Sequence, residues 1–357
     1  MTVLLSALLA AHGVLHALRV ETPTLGMWWV GTGVWLLAAA LMVQTAPDLW
    51  WATALPALVS SQLLVWRTGP GWRLPTALNA LLLLPVTLAT ATWGPGSAHA
   101  VWERASQTVW RRDPGPLPLV SEADLAQLPE PVARYLRFVG VVGHPRVWRM
   151  RASFDGELRQ GAQDPWMVGR FEQTSAFDQP ARLFWLQASA GGLPFSGLHA
   201  YTVGHATMRV RALSLWPVVD APNSPEMVKS ESVTFLDDRV LLAPATLIEP
   251  DLAWETVDES HVRVSWSGGG VPVSAELVFD PDSGALVDFV SDDRSRSDDG
   301  STFVAARWST RVRSYDLFDG LRLPKEAEAW WTLPGEEPFV YARFRVQSIA
   351  YDGPFRD

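Results

Sequence analysis

Cysteine is absent from this 357-residue sequence, and only two of its 29 basic residues are lysines, Lys229 and Lys325. Without cysteine the chain has no disulfide framework, no thiolate-ligated zinc and no thiol nucleophile. We interpret the scarcity of lysine as a coding bias rather than as a functional feature.

Recognisable catalytic motifs are lacking too: there is no phosphate-binding loop, no nucleophilic-serine motif and no zinc-binding helix. Glu172 with Glu231 or Glu328 would supply a carboxylate pair for acid–base chemistry, but nothing in their spacing brings them together. The acidic segment 280–284 is typical of a hairpin turn rather than a calcium loop, because no distal ligand follows it. The sequence indicates no catalytic residue, metal or cofactor, and it favours a protein that is not an enzyme.

Charge is unevenly distributed along the chain. The net charge is −9. Residues 1–118 hold six arginines and four acidic residues, which leaves a net charge of −11 for residues 119–357. A nucleic-acid-binding domain needs a basic stripe to displace counterions from phosphates, and no such stripe exists here. Nucleic acid is therefore excluded as an expected partner.

Four hydrophobic stretches, at about 3–18, 25–43, 49–66 and 74–93, contain no Lys, Arg or Glu. A helix of about 20 apolar residues crosses the hydrocarbon core of a bilayer. The pattern predicts a four-helix transmembrane anchor over 1–94, a linker over 95–118 and a separate domain over 119–357. Within the linker, residues 101–112 form either a short interfacial helix or an exposed helical spacer.

Arginines between the hydrophobic stretches predict the orientation. Arg19 lies in the first loop, Arg67 and Arg73 lie in the third, and the second loop has no basic residue. The positive-inside rule then places loops one and three in the cytoplasm and both chain ends outside. Three arginines beyond the fourth stretch oppose this orientation: Arg104, Arg111 and Arg112. We expect a multi-pass protein of the cell membrane whose C-terminal domain lies outside the cytoplasm.

The period of apolar residues changes from helical to twofold near residue 147. Runs such as 147–151, 262–266 and 275–279 alternate apolar with polar residues, and Asp-Gly turns separate several of them. One helix interrupts the strands, because Ser224 is placed as an N-cap before Pro225. The sequence predicts an α+β domain in which a helix covers an antiparallel sheet of hairpin-linked strands.

Motifs along nearly the whole chain resemble a bacterial family of uncharacterised membrane proteins. The matching elements are His-Gly-x-x-His at 12–16, residues 35–39, Ser61, Gln62, Trp66, Asn79, residues 128–136, Glu172, Gln173, Trp308, Tyr315, Leu323 and Pro324. The resemblance implies four transmembrane helices and a domain similar to lipoprotein-carrier folds, in which helices fill the apolar concavity of a curved antiparallel sheet. The family has no established activity to transfer.

The first helix carries two histidines four residues apart, His12 and His16, which places both on one helix face. Polar groups within a bilayer need partners, and Ser61, Gln62 and Asn79 lie on the predicted neighbouring helices. The pair holds the helices together through hydrogen bonds, binds a metal or haem, or has a role in proton transfer or quinone chemistry. We favour packing.

The sequence contains nineteen tryptophans, and about half of them lie in or beside predicted strands. They either fill a core or line a pocket for an apolar ligand. The candidate ligand-binding residues are Trp185, Trp308, Tyr315, Phe235, Trp254, Glu172 and Arg294. We interpret segment 292–299 as a solvated, self-paired loop.

The predicted function is an envelope protein, anchored in the lipid bilayer, whose β-rich domain binds a lipid or another hydrophobic ligand. The alternatives are an intramembrane metal, haem or quinone site at His12 and His16, or a purely structural or partner-binding envelope protein.

Overall fold

The computed structural model describes residues 2–18, 23–68, 73–110 and 115–352. The chain divides into two compact units, 1–101 and 102–357. Arg19, Arg111 and Arg112, which enter the orientation argument, lie outside the described residues.

Four long helices form the first unit, at the positions of the four hydrophobic stretches. They are α1 (Thr2–Ala17), α2 (Pro23–Thr45), α3 (Trp50–Thr68) and α4 (Arg73–Trp93). A further helix, α5 (Ala98–Trp110), crosses the boundary between the units. By length and composition, two segments suffice to cross a membrane, Gly26–Thr45 and Pro75–Trp110, while α1 is a shorter apolar helix.

Helices α1 and α2 approach closely at two glycines. A Cβ atom on Gly33 would lie 2.6 Å from the carbonyl oxygen of Gly13, so a larger side chain would force the backbones apart. Glycine at such a crossing has no side chain and therefore allows direct contact between the two helix backbones. Leu9 and Leu36 are fully buried nearby in the apolar core of the unit.

The second unit begins with two short helices, α6 (Glu122–Leu125) and α7 (Glu130–Val139). Ser121 caps α6 by accepting a hydrogen bond from the backbone of Asp124. Helix α7 ends at Gly140, whose φ of 89° is a left-handed conformation that glycine adopts without strain.

Thirteen antiparallel strands form one large curved sheet. They are β1 (Arg149–Leu158), β2 (Met167–Ala176), β3 (Ala181–Ala190), β4 (Leu193–Thr202), β5 (His205–Ala212), β6 (Trp216–Ala221), β7 (Leu252–Thr256), β8 (His261–Trp266), β9 (Val273–Phe279), β10 (Leu286–Arg296), β11 (Val304–Phe318), β12 (Leu321–Thr332) and β13 (Phe339–Tyr351). Consecutive strands within β1–β6 and within β7–β13 pair as hairpins, as predicted. Strands β1 and β13 pair with each other and join the two halves at the middle of the sheet.

Helix α8 (Pro225–Leu241) and a short 3₁₀ helix (Pro244–Ile248) connect one edge strand, β6, to the other, β7. Helix α8 contacts strands from both halves of the sheet, including β4, β5, β9 and β10. The predicted helix is present, but it is buried on nearly all sides instead of covering the sheet with an exposed outer face. Fourteen of its 17 residues are buried, among them charged side chains: Glu231, Asp237, Asp238 and Arg239.

Candidate functional site

A cavity of about 490 Å³ lies in the second unit, between helix α8 and the inner face of the sheet. Its walls are mainly apolar, with Phe184, Leu186, Phe195, Met208, Leu241 and Phe344 among them. On β3 every second residue lines it, because side chains alternate between the two faces of a strand. Three lining residues, Gln160, Val218 and Asp298, are exposed, so the cavity opens to solvent beside them.

One wall of the cavity is aromatic. Trp308 on β11 lies directly opposite Trp331 on β12 in the strand register. The indole nitrogen of Trp308 donates a 3.0 Å hydrogen bond to the hydroxyl of Tyr341, and the rings of Tyr341 and Trp331 lie 5.5 Å apart. The hydrogen bond satisfies a buried indole donor and fixes the orientation of this wall.

Arg294 projects against that wall. Its guanidinium lies 4.3 Å from the ring centroid of Trp308 and 5.4 Å from that of Trp331. The pairing of β10 with β11 contains a bulge between Ser291 and Arg294, which is a feature that redirects side chains. The side chain of Arg294 is 12% exposed, and its nearest acidic atom, an oxygen of Glu231, is 4.0 Å away.

The burial of Arg294 shows that the interpretation of segment 292–299 as a solvated, self-paired loop was wrong. Residues up to Arg296 belong to strand β10, and Arg294 forms no side-chain hydrogen bond with any part of the chain that the structure describes. Within the segment, Arg296 pairs with Asp298 at 2.8 Å, whereas Asp292 pairs with Arg307 outside it at 2.8 Å.

A buried ionic cluster lies on the α8 side of the cavity. Arg182 donates from Nε to Asp238 at 2.7 Å and from a terminal nitrogen to Glu231 at 3.3 Å. Gln173 bridges the pair, because its amide donates to Asp238 at 2.7 Å and its carbonyl accepts from Arg182 at 3.2 Å. The donors of Arg182 are thus directed at partners from the chain itself, as a buried charge requires.

Burial and neighbours set the pKa values of the acids in this cluster. Burial alone would raise the pKa of Glu231, but His199, Arg182 and Arg294 lower it to about 2. Burial and the adjacent charge of Asp238 raise the pKa of Asp237 well above its usual range. Thr310 donates to one oxygen of Asp237 at 3.2 Å, whereas the other oxygen has no hydrogen-bond partner among the described residues.

Of the seven predicted ligand-binding residues, Trp308 and Arg294 line the cavity. Phe235 is fully buried and stacks on Trp266 in the core. The hydroxyl of Tyr315 donates to the carbonyl of Leu286 at 2.7 Å, away from the cavity.

The other three predicted residues also lie outside the cavity lining. Trp185 stacks with Trp102 at 6.3 Å. Trp254 packs at the margin of the core, and Glu172 contacts Arg151 at 3.8 Å near the surface. Sequence reasoning missed Arg182 and the Asp237–Asp238 pair. The available signal was a set of charges at apolar-phase positions, one in β3 and two directly after Phe235 and Leu236 in α8.

In the first unit, the predicted polar side chains lie together. Nε2 of His12 is 2.8 Å from the side-chain oxygen of Asn79 and 3.3 Å from Nε2 of His16. The hydroxyl of Ser61 lies 2.8 Å from Nε2 of His16 and donates to Asn79 at 2.9 Å. Asn79 donates in turn to Gln62 at 3.0 Å. These contacts connect α1, α3 and α4.

The same cluster is buried. His12 and His16 are each 4% exposed, and Ser61 is fully buried. The ring of His16 stacks on Trp29 of α2 at 4.7 Å. Across the described ranges, no group of three or more His, Cys, Asp or Glu side chains is placed to hold a metal ion.

The fold and the cavity define a curved antiparallel sheet domain with an internal apolar cavity beside a central helix. Residues 118–344 match a family of unknown function, DUF6544, and the chain belongs to that family. No curated protein matches the chain.

Two solved structures are each similar to about two thirds of the chain. A DUF1329 family protein from Desulfovibrio piger has 11% identity, covering 67% of this chain and 96% of that one, with a TM-score of 0.36. A putative outer membrane lipoprotein-sorting protein domain from Vibrio parahaemolyticus has 9% identity, covering 66% of this chain and 93% of that one, with a TM-score of 0.34.

Proposed function

We propose that the protein is a membrane-anchored envelope protein whose β domain binds a lipid or another hydrophobic molecule in the cavity. The cavity itself carries the proposal. Protein interiors are close-packed and rarely contain voids larger than a water molecule, whereas ligand pockets typically measure ~300–1,000 Å³. A space of about 490 Å³ with aromatic and aliphatic walls and an opening to solvent belongs to the second class.

The hydrophobic effect provides the driving force for such binding. Each buried methylene contributes ~0.8 kcal/mol, so an acyl chain of moderate length can reach micromolar affinity after ordering costs. The walls include Met167, Met208 and Met227, whose unbranched side chains adapt to ligands of irregular shape.

The proposed anchor consists of α1–α4, with both chain ends outside the cytoplasm. Large apolar side chains on these helices are exposed, including Leu4, Leu15, Met27, Leu63, Trp66 and Leu84. Polar side chains such as His12 and Asn79 are buried instead. Apolar residues facing outward and polar residues facing inward suit a bilayer better than water.

A photocrosslinking experiment on the full chain tests cavity binding directly. We expect a diazirine-bearing fatty acid to label peptides from β3, β5 and α8 of the purified protein. Ala188→Phe fills the cavity from β3 and should abolish this labelling. Ser189→Phe is the matched control, because the neighbouring side chain is exposed and belongs to the other face of the strand. Folded protein whose cavity peptides stay unlabelled would refute the proposal.

A further inference from the structure

We infer that the polar end of the cavity is a headgroup site, in which Arg294 and Asp237 bind the oxyanion, a carboxylate or a phosphate, of an amphiphile whose chain occupies the apolar part. This inference rests on the proposed function, because it assigns the chemistry of the ligand in the same cavity.

Arg294 is a largely buried cation whose ion pair is long, because its nearest acidic atom, an oxygen of Glu231, is 4.0 Å away. A guanidinium has five N–H donors, and buried donors are normally satisfied. Among the described residues, none accepts a side-chain hydrogen bond from Arg294, and its Nε is buried. The rings of Trp308 and Trp331 stabilise the positive charge of the guanidinium by cation–π contact. This contact does not use the N–H groups of the guanidinium as hydrogen-bond donors. An oxyanion fits those donors in a bidentate geometry.

The other cations of the lining have closer partners from the chain than Arg294, whose ion pair with Glu231 spans 4.0 Å. Arg182 is held by Asp238 and Glu231. The remaining three pair as follows: Arg159 with the carbonyl of Val340 at 2.7 Å, Arg296 with Asp298 at 2.8 Å, and Lys325 with Asp316 at 3.6 Å. Arg294 is therefore the lining cation with the greatest capacity for an external anion.

The charge of the lining also favours an anion. Five of the lining residues are Arg or Lys and four are Asp or Glu, although residues 119–357 as a whole are strongly acidic. Asp237 has a raised pKa because of burial and the neighbouring Asp238, which increases the positive balance further. A ligand with a cationic head would instead meet Arg294 in a low-dielectric site, where repulsion between like charges is strong.

Asp237 supplies the second contact. Its side chain is 7% exposed and lines the cavity, and one of its carboxyl oxygens has no hydrogen-bond partner within the described part of the chain. Thr310 donates to the other oxygen. A carboxyl group that stays protonated is a hydrogen-bond donor, so the free oxygen of Asp237 can donate to a headgroup oxygen beside Arg294.

Competition binding on the full chain, held in amphipol without free detergent, tests the headgroup. The reporter is a photoreactive sixteen-carbon alcohol that labels the cavity peptides. The competitors share the same chain and differ only in the head: hexadecanoate, hexadecyl phosphate, hexadecanol and hexadecyltrimethylammonium. We expect one or both anions to compete about tenfold more strongly than the alcohol, and the ammonium compound to compete most weakly. The stronger anion identifies the headgroup as carboxylate or phosphate.

Variants assign the effect to residues. Arg294→Met should remove the preference for anions over the alcohol. Arg307→Met is the matched control, because Arg307 lies on the neighbouring strand and pairs with Asp292 at the surface. Asp237→Asn, which keeps a neutral donor, should retain the preference, and Asp237→Leu should weaken it several-fold.

The outcomes distinguish failure of the headgroup inference from failure of the proposed function. If all four competitors act equally on the wild type, the headgroup inference is wrong while the apolar cavity stands. If the reporter and every competitor fail to bind, the proposed function and the inference fail together. The comparison of heads on the wild type remains decisive even if Arg294→Met does not fold.

Discussion

Arg182 and Asp238 form a buried ion pair, with 2.7 Å between Nε and Oδ2, and both side chains are less than a tenth exposed. The pair connects strand β3 to the central helix α8. A charge in such surroundings is tolerated only while its partner remains, because desolvation of an isolated ion is costly.

Arg182→Met should therefore destabilise the β domain strongly. The substitution leaves Asp238 and Glu231 buried without their main counter-charge, and we expect a loss of ~3–5 kcal/mol in the free energy of unfolding. Arg209→Met is the control, because Arg209 pairs with Asp220 at an exposed position, where such pairs contribute less than ~1 kcal/mol. Urea unfolding of both variants gives the comparison. Equal effects would contradict the role of the buried pair.

A second prediction concerns the pH dependence of stability at Asp288. Burial raises its pKa to about 6, although Arg311 lies 3.3 Å away and lowers it. The folded state thus holds this proton more tightly than the unfolded chain, whose Asp pKa is ~3.9. The stabilisation is complete below pH ~4 and is lost as the pH rises through about 6.

Asp288→Asn isolates this contribution, because the amide does not titrate. We expect the wild type to lose ~2 kcal/mol of unfolding free energy relative to Asp288→Asn between pH 4 and 7. Chemical denaturation of both proteins at intervals across this range provides the measurement. A constant difference would show that Asp288 has an ordinary pKa in the folded protein.

Local signals predicted the sheet and its helices well. Turn residues and the twofold period depend on neighbours in the sequence, so the hairpins and the N-cap at Ser224 were identifiable. The site was harder to predict because both faces of β3 are buried. Phe184 faces the cavity while Trp185 packs on Trp102, and alternation alone does not distinguish the two faces. The bulge that directs Arg294 inward depends on pairing with β11.

The polar cluster of the first unit leads to a third prediction. Its side chains bond to one another across α1, α3 and α4, so we interpret His12 and His16 as packing groups. Replacing both with Ala should lower the thermal stability in detergent without loss of metal or colour. Leu4→Ala with Leu15→Ala is the control, because both leucines are exposed on α1. Stoichiometric metal or a haem band in the wild type, lost from the double variant, would overturn this interpretation.

Membrane topology provides a fourth prediction. Arg67 and Arg73 border the third predicted loop, whereas the second loop contains Asp48 and no basic residue. Reporter fusions after Ala46 and after Asp357 should therefore report an outside location, and a fusion after Gly69 an inside one. A cytoplasmic reporter after Asp357 would reverse the orientation and remove the envelope role with it.

The last prediction concerns the boundary of the β domain. Trp102 is 2% exposed and stacks on Trp185, and Arg149 donates to the carbonyl of Trp110 at 3.2 Å. A fragment of residues 102–357 keeps these contacts, whereas a fragment of residues 119–357 exposes the ring of Trp185. Burial of a large apolar side chain contributes ~1.5–3 kcal/mol, so the longer fragment should be more stable by about that amount.

Both fragments should fold as soluble proteins, because the core of the β domain lies within residues 120–349. Trp102→Ala in the longer fragment should lower the stability of that fragment to the level of the shorter fragment. Residues 1–101 are absent from both fragments. Differential scanning calorimetry measures all three proteins under the same conditions. Equal stability of the two wild-type fragments would show that the Trp102–Trp185 contact contributes nothing, and an insoluble shorter fragment would show that residues 102–118 are required for folding.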